Sequence, residues 1–347
     1  MTLITGDPTV ADIRVLAPLV YVIPTYVLYG ILLKIIFFSP NMKNFKSSFY
    51  IVFGVYGVNN IVYSVSYYIF YKVTNAPIFL PLLALLPEEH FLLTLVPWIM
   101  FHAMYTENFL NLVMSFNRFT VIYMKTHYKT FWRKHLLWII IVACSIGNVF
   151  NWQIFATDVR IRIINASAPE LGYRWDMYNQ NILPSWWRNA SNIGLVTIIT
   201  ASLSLLFNCY ASYKILKQKF LKLSNNTTVS KQDIQLFVFN VLIFLNQVGN
   251  FIIQVMFMYV TNSEQRIDMF RTQFWVVDIN TLTPAWFLCL MSENIRREVF
   301  KIIFCSSFKF KQEATTSSTT ENKQIFRIIK PQMNSFNQHQ RTQITLK

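Results

Sequence analysis

The stretch Glu107-Asn108-Phe109-Leu110-Asn111-Leu112-Val113-Met114-Ser115-Phe116-Asn117-Arg118-Phe119-Thr120 sets a carboxylate, a guanidinium and three carboxamides inside an otherwise apolar run. On a helix, Glu107 and Arg118 stand about three turns and roughly 16 Å apart, so they do not pair with each other. Each then needs another partner, because an ionised group in hydrocarbon is costly unless it is paired, hydrogen-bonded or able to reach water. For Glu107 the options are protonation, an ion pair, or bonds to intramembrane carboxamides such as Asn59, Asn246 and Asn250, with direct ligand contact as the alternative. For Arg118 two readings stand: a stop-transfer cation at the membrane edge, or a switch held by resting contacts and released to a partner. Asp278 is a second acid in an apolar stretch, available for helix packing or for a basic ligand. The few His and acidic residues show no nucleophile or metal spacing, which argues against an enzyme, a metal centre or a cofactor.

The elements that position these groups follow from composition. The chain is 54% hydrophobic and only 14% charged, with 31 Phe and 17 Tyr. A water-facing domain carries about 25% charged residues, so this surface is expected to face lipid. A helix needs ~20 mostly apolar residues to cross the hydrocarbon. Seven stretches meet that need: 17–38, 49–71, 91–122, 136–156, 192–213, 235–260 and 271–291. Residues 75–87 are apolar but short and broken by Pro77, Pro81 and Pro87, so they read as a loop or re-entrant piece. The fold class is therefore an all-α membrane protein, a seven-transmembrane helix bundle.

Charge orients the spans. With the N-terminus extracellular, only Arg14, Lys72, Arg160, Arg162, Arg174, Arg188, Arg266 and Arg271 lie outside, and the other 23 of 31 basic residues face the cytoplasm. Retention of Lys and Arg on the inner side predicts this arrangement. The net charge of +15 thus records topology and makes nucleic acid the weaker partner. Sequons at Asn165 and Asn189 fall in the long outer loop, where glycosylation is expected. Trp175, Trp186 and Trp187 in that loop read first as an interfacial aromatic belt. None of the four cysteines lies in an outer loop, so no external disulfide is expected.

Outward of Glu107 on the third span lie Met100, Phe101, Met104 and Tyr105. They pack the bundle or line a pocket, and such a lining suits apolar or volatile small molecules. Past the seventh span, Ile295, Val299, Ile302 and Ile303 recur at helical spacing, the pattern of a short amphipathic helix on the inner leaflet. Cys305 ends it at palmitoylation depth. Residues 1–305 thus form the bundle with its juxtamembrane helix, and 306–347, rich in Ser, Thr, Gln and Asn, form a disordered cytoplasmic tail.

Asn117-Arg118-Phe119 with Thr120-Val121-Ile122, His127-Tyr128 and Phe131-Trp132-Arg133-Lys134, together with Ser292-Glu293-Asn294-Ile295-Arg296-Arg297, resembles nematode serpentine receptor class gamma or a neighbouring chemosensory class. The resemblance extends over most of residues 15–305. It implies a seven-helix, G-protein-coupled receptor on sensory neurons, in the plasma membrane and its cilia, that detects a small molecule and couples through the Asn117-Arg118-Phe119 segment to a heterotrimeric G protein. Departures from the wider rhodopsin-like pattern are plain. Asn117 stands where an acid is usual, and the sixth span lacks Pro and Trp. Thr283-Pro284-Ala285-Trp286 replaces the usual seventh-span motif. The second span offers Asn59 and Asn60 but no acid, so a buried sodium site is not expected. The rival class is a transporter or ligand-gated channel, disfavoured by the odd number of spans and the absence of paired broken helices.

Overall fold

The structure, a computed structural model, describes residues 10–38, 47–87, 90–163, 173–178, 189–220, 231–259 and 263–303. Its long helices form where apolar runs satisfy every backbone group internally, as a bilayer demands. Numbering only the long ones, they are α1 (Leu19–Phe38), α2 (Ser48–Tyr67), α3 (Phe91–Met124), α4 (Tyr128–Asn151), α5 (Asn189–Phe220), α6 (Lys231–Tyr259) and α7 (Ser263–Met291). Several outrun the spans read from hydropathy: α4 begins at Tyr128, α5 reaches Phe220 and α7 begins at Ser263. Hydropathy marks only the lipid-facing part, whereas a helix continues wherever long polar side chains can reach water.

Six of the seven are long and apolar enough to cross a membrane; α3 falls outside that set. The reason is where α3 sits. It packs against α2, α4, α5 and α6, and the ring closes through α5–α6, α6–α7, α7 with α1 and α2, and α1–α2. Half of its 34 residues are buried, including Glu107, Asn108, Asn111, Ser115, Asn117 and Arg118. On the peripheral α4 only Trp132, Ala143, Gly147 and Asn151 are buried, while Leu137, Trp138, Ile141 and Val142 are exposed in the manner of a lipid-facing surface. A helix enclosed by others need not be greasy, which is why hydropathy is weakest at the helix the bundle is built around.

The segment after α2 does not span. A π-helical turn at Tyr68–Lys72 leads into 3-10 turns at Val73–Asn75 and Pro77–Phe79 and a short helix, Leu80–Leu83. A short helix at Val10–Leu16 lies against this segment. There Asp12 accepts a hydrogen bond from the Ile78 amide at 2.9 Å, and the Tyr68 hydroxyl donates to the Val15 carbonyl.

The long loop between α4 and α5 contains an unexpected element, an antiparallel hairpin of β1 (Asp158–Ile163) and β2 (Tyr173–Tyr178) with Ile161 opposite Trp175. Strand alternation turns Val159 and Ile161 inward. Ile161 joins Leu83 and Leu93 in one apolar cluster, and Trp175 stacks on Phe70 with centroids 5.0 Å apart. Trp175 is therefore packed onto the bundle; Trp186 and Trp187 lie outside the described residues. Cys144 and Cys209 are free thiols, and apolar packing of Ile161 and Trp175 holds the described part of the loop on the bundle. After α7 the chain turns at Ser292 and residues 293–303 are helical, with Ile295 and Val299 buried and Phe300 and Ile303 exposed.

The α3–α4 contact sets a limit on size. A Cβ at Gly147 would lie 2.8 Å from His102 Nδ1 and 3.1 Å from the His102 carbonyl oxygen. Because one of those atoms is backbone, the clash cannot be relieved by a rotamer change alone. Gly147→Val is expected to cost about 1–3 kcal/mol, read as a lower thermal unfolding midpoint of the detergent-purified chain. An unchanged midpoint would contradict this packing.

Candidate functional site

At the hairpin end, the π turn closes α2 with an extra residue per turn, which re-aims its last side chain. Lys72 consequently points into the bundle. Its Nζ donates to both carboxylate oxygens of Asp278 on α7, at 2.9 and 2.7 Å, with both side chains buried. Tyr21 of α1 donates to Asp278 Oδ2 at 2.5 Å, and the ammonium lies 4.7 Å from the Tyr68 ring centroid. Sequence reasoning counted Lys72 among the outer cations and left Asp278 to helix packing or to a basic ligand. The usable signal was that Lys72 continues the α2 run without a turn residue before it. The pair ties α1, α2 and α7 together above an aromatic layer.

Beneath it, Met100, Met104 and Tyr105 are buried in a cluster with Tyr63, Tyr67 and Phe70, and Phe101 lies half-buried at its edge. Trp175 of the hairpin and Phe274 of α7 pack on the same cluster. The four side chains expected to line a pocket are thus in one place, on a cluster that also takes in Val277, the residue before Asp278.

One turn further in, Glu107 accepts a hydrogen bond from Asn280 Nδ2 of α7 at 2.8 Å. None of the three carboxamides expected for it is that partner. Asn59 donates to the Ala103 carbonyl and Asn246 to Thr283 Oγ1, and Asn250 is buried on α6. Asn280 was overlooked, although any carboxamide inside a span carries the same demand for a partner. Other rungs follow along α3. Gln247 of α6 donates to Asn108 and to Thr200 of α5, while Asn240 of α6 donates to Ser115 and to Asn208 of α5.

At the opposite end, Asn117, Arg118 and Phe119 point three ways. Asn117 Nδ2 donates to Ser48 Oγ at 2.7 Å, Tyr128 donates to Asn117 Oδ1 at 3.3 Å, and the two hydroxyls are 2.5 Å apart. This neutral triad joins α3 to the starts of α2 and α4, and it occupies the place where an acid would pair with the adjacent arginine. Arg118 is buried with its guanidinium 4.0 Å from the Phe49 ring centroid, and Phe49 in turn packs edge-on against Phe239 of α6. Phe119 reaches Phe207 and Tyr210 of α5, at 5.0 and 5.1 Å between centroids. Beside them a hollow of about 650 Å³ is lined by Tyr123, Met124, His127, Thr130 and Phe131. Asn165, Cys305 and the Asn189 side chain lie outside the described residues.

With this geometry in place, a comparison with known families becomes informative. The family model for the Srg family chemoreceptor matches residues 15–299, which takes in all seven long helices and the hairpin. No curated protein matches the chain.

The Lys72–Asp278 pair yields a test. Removing one member of a buried ion pair strands the other, at about 3–5 kcal/mol, whereas replacing both by apolar residues is far cheaper. Lys72→Met and Asp278→Leu are each expected to lower the unfolding midpoint, and the double replacement to restore most of the loss. Additive losses in the double variant would show that the two side chains do not share one interaction.

Proposed function

The chain belongs to the Srg family of chemoreceptors, a multi-pass, seven-transmembrane receptor, and from that premise we propose that it is a G-protein-coupled chemosensory receptor. In this reading a small molecule binds in the outer half of the bundle, at Met100, Phe101, Met104 and Tyr105 under the Lys72–Asp278 pair. The Asn117-Arg118-Phe119 segment passes the change to a heterotrimeric G protein. The N-terminus faces outward across the plasma membrane, with sensory cilia as the site of action. Asn165 and Asn189 carry glycans, and Cys305 carries a palmitoyl chain between a bundle ending at residue 305 and a tail from 306 to 347.

The observation that carries the coupling half is the divergence of Asn117, Arg118 and Phe119 onto three neighbours. Ser48 and Tyr128 fix the start of α2 to α4 through Asn117. Arg118 lies on Phe49, which packs on α6, and Phe119 lies on α5. Outward movement of α5 breaks the contacts of Phe119, and outward movement of α6 parts Phe239 from the Phe49 on which Arg118 rests, so the inner end is a two-state element that a ligand can bias. Neutral hydrogen bonds contribute about 1 kcal/mol each, so the latch is weak enough to open and strong enough to matter.

Arg118→Ala is expected to abolish agonist-evoked G-protein activation at equal surface expression. Ser48→Ala removes two of the latch bonds and is expected to raise basal activity by up to about thirty-fold, the population change that about 2 kcal/mol brings. Both are read by second-messenger output in transfected cells, after a screen of volatile and apolar compounds has supplied the agonist. Full signalling by Arg118→Ala would remove that residue from the coupling step.

A further inference from the structure

The turn from α3 to α4 frames the hollow of about 650 Å³, and its walls are both apolar and polar. Tyr123 and Met124 end α3, His127 closes the 3-10 turn, and Thr130 and Phe131 open α4. Rings behind the walls hold them in place. Tyr123 stacks on Phe119 at 5.4 Å and meets Tyr210 of α5 edge-on at 6.3 Å. Phe131 packs edge-on against Phe116 at 6.2 Å and Trp132 at 5.8 Å. Tyr123, His127 and Thr130 are exposed, so the hollow opens to the outside of the bundle.

The charge around it has one sign. His127, Thr130, Lys134 and Trp138 follow one another at three- and four-residue spacing and share one face of α4, all of them exposed. Helical side chains lean toward the N-terminus of their helix, which directs the Lys134 ammonium back toward the hollow. Lys129 and Arg133 are exposed beside that face. From α5, Lys214 places its Nζ 5.6 Å from the centroid of the Tyr210 ring that backs Tyr123. Residues 108–157 and 189–220 contain no Asp or Glu, so neither α4 nor α5 has a carboxylate to neutralise these cations. Further along the same face, Leu137, Trp138, Ile141 and Val142 form an exposed apolar stripe.

A hollow with hydroxyls at its mouth, a cationic rim and an apolar stripe leading away match three parts of one molecule. The hydroxyls of Tyr123 and Thr130 suit the ester and phosphate oxygens of a glycerophospholipid, and the rim suits a net negative headgroup. The stripe suits an acyl chain. A zwitterionic lipid would leave the rim without a counter-charge, and a soluble anion would leave the stripe uncovered. We propose that this hollow is the headgroup site of an anionic phospholipid in the adjoining leaflet, with one acyl chain lying along the exposed face of α4. Because Tyr123 stacks on Phe119, the lipid lies one ring away from the coupling tripeptide.

Two photoactivatable lipids test this, phosphatidylserine and phosphatidylcholine with the same diazirine-bearing acyl chain. Each is added in trace amount to the full-length receptor in phosphatidylcholine nanodiscs, irradiated, and mapped by peptide mass spectrometry. Both faces of the disc have the same composition, so neither the orientation of the receptor nor its signalling enters the result. The serine lipid is expected to label Trp138 and Ile141 at least about five-fold more than the choline lipid, the preference that one engaged cation brings. Lys134→Gln should lower that excess about five-fold. Thr130→Trp, which fills the mouth without changing charge, should abolish it. Both positions are exposed, so the unfolding midpoints in phosphatidylcholine should match the wild type. Equal labelling by the two lipids would overturn the headgroup site and leave an ordinary lipid-facing helix. An excess that survives Thr130→Trp, or that appears equally at the exposed Val20 and Ile23 of α1, would overturn it too.

Discussion

Everything in this bundle follows from one constraint: the polar side chains of the third helix can face neither lipid nor bulk water, so protein must surround them. Each is covered by a different neighbour. Glu107 meets α7 through Asn280, Asn108 and Ser115 meet α6 through Gln247 and Asn240, and Asn117 meets α2 through Ser48. Gln247 and Asn240 extend to Thr200 and Asn208 on α5. Dispersion alone gives helices in a membrane little directional preference, because lipid tails are as apolar as Leu. Directed hydrogen bonds from one central helix supply the register that packing by itself leaves loose.

The two ends of the bundle use different chemistry for the same purpose. The hairpin end relies on a buried ion pair, Lys72–Asp278, and on apolar docking of Ile161 and Trp175. Charge is costly to bury and costly to strand, so this end is expected to be rigid or to move all at once. The Arg118 end relies on neutral hydroxyl and carboxamide bonds with aromatic contacts, each worth little alone. The chain thus holds one end of the bundle by an ion pair beside its aromatic cluster and the other by neutral bonds at its tripeptide.

Much of the fold was legible in the sequence, because lipid exposure forces a composition that hydropathy detects directly. All seven long helices were readable as apolar runs, the third less plainly because it carries Glu107. Bounds were less legible, as at Tyr128 and Ser263, where the helix continues past the apolar part. The hairpin was illegible: Asp158–Ile163 alternates as a strand does, but an outer loop was expected there. Within the site, the third-helix groups were visible as intramembrane polar residues, whereas their partners were not. Glu107 belongs with Asn280 and not with Asn59, Asn246 or Asn250. Lys72 belongs with Asp278, 206 residues away. Long-range pairing depends on helix rotation, and a single π turn at Tyr68–Lys72 is enough to change it.

The central claim is that α3 is enclosed while α4 is peripheral. A lipid-soluble carbene photoprobe, activated in membranes holding the receptor and mapped by peptide mass spectrometry, measures this directly. Labelling at Leu137, Trp138 and Val142 of α4, with none at Asn108, Asn111 or Ser115 of α3, is the predicted result. Labelling along α3 comparable to that on α4 would mean that its polar face meets lipid, and the arrangement described here would be wrong.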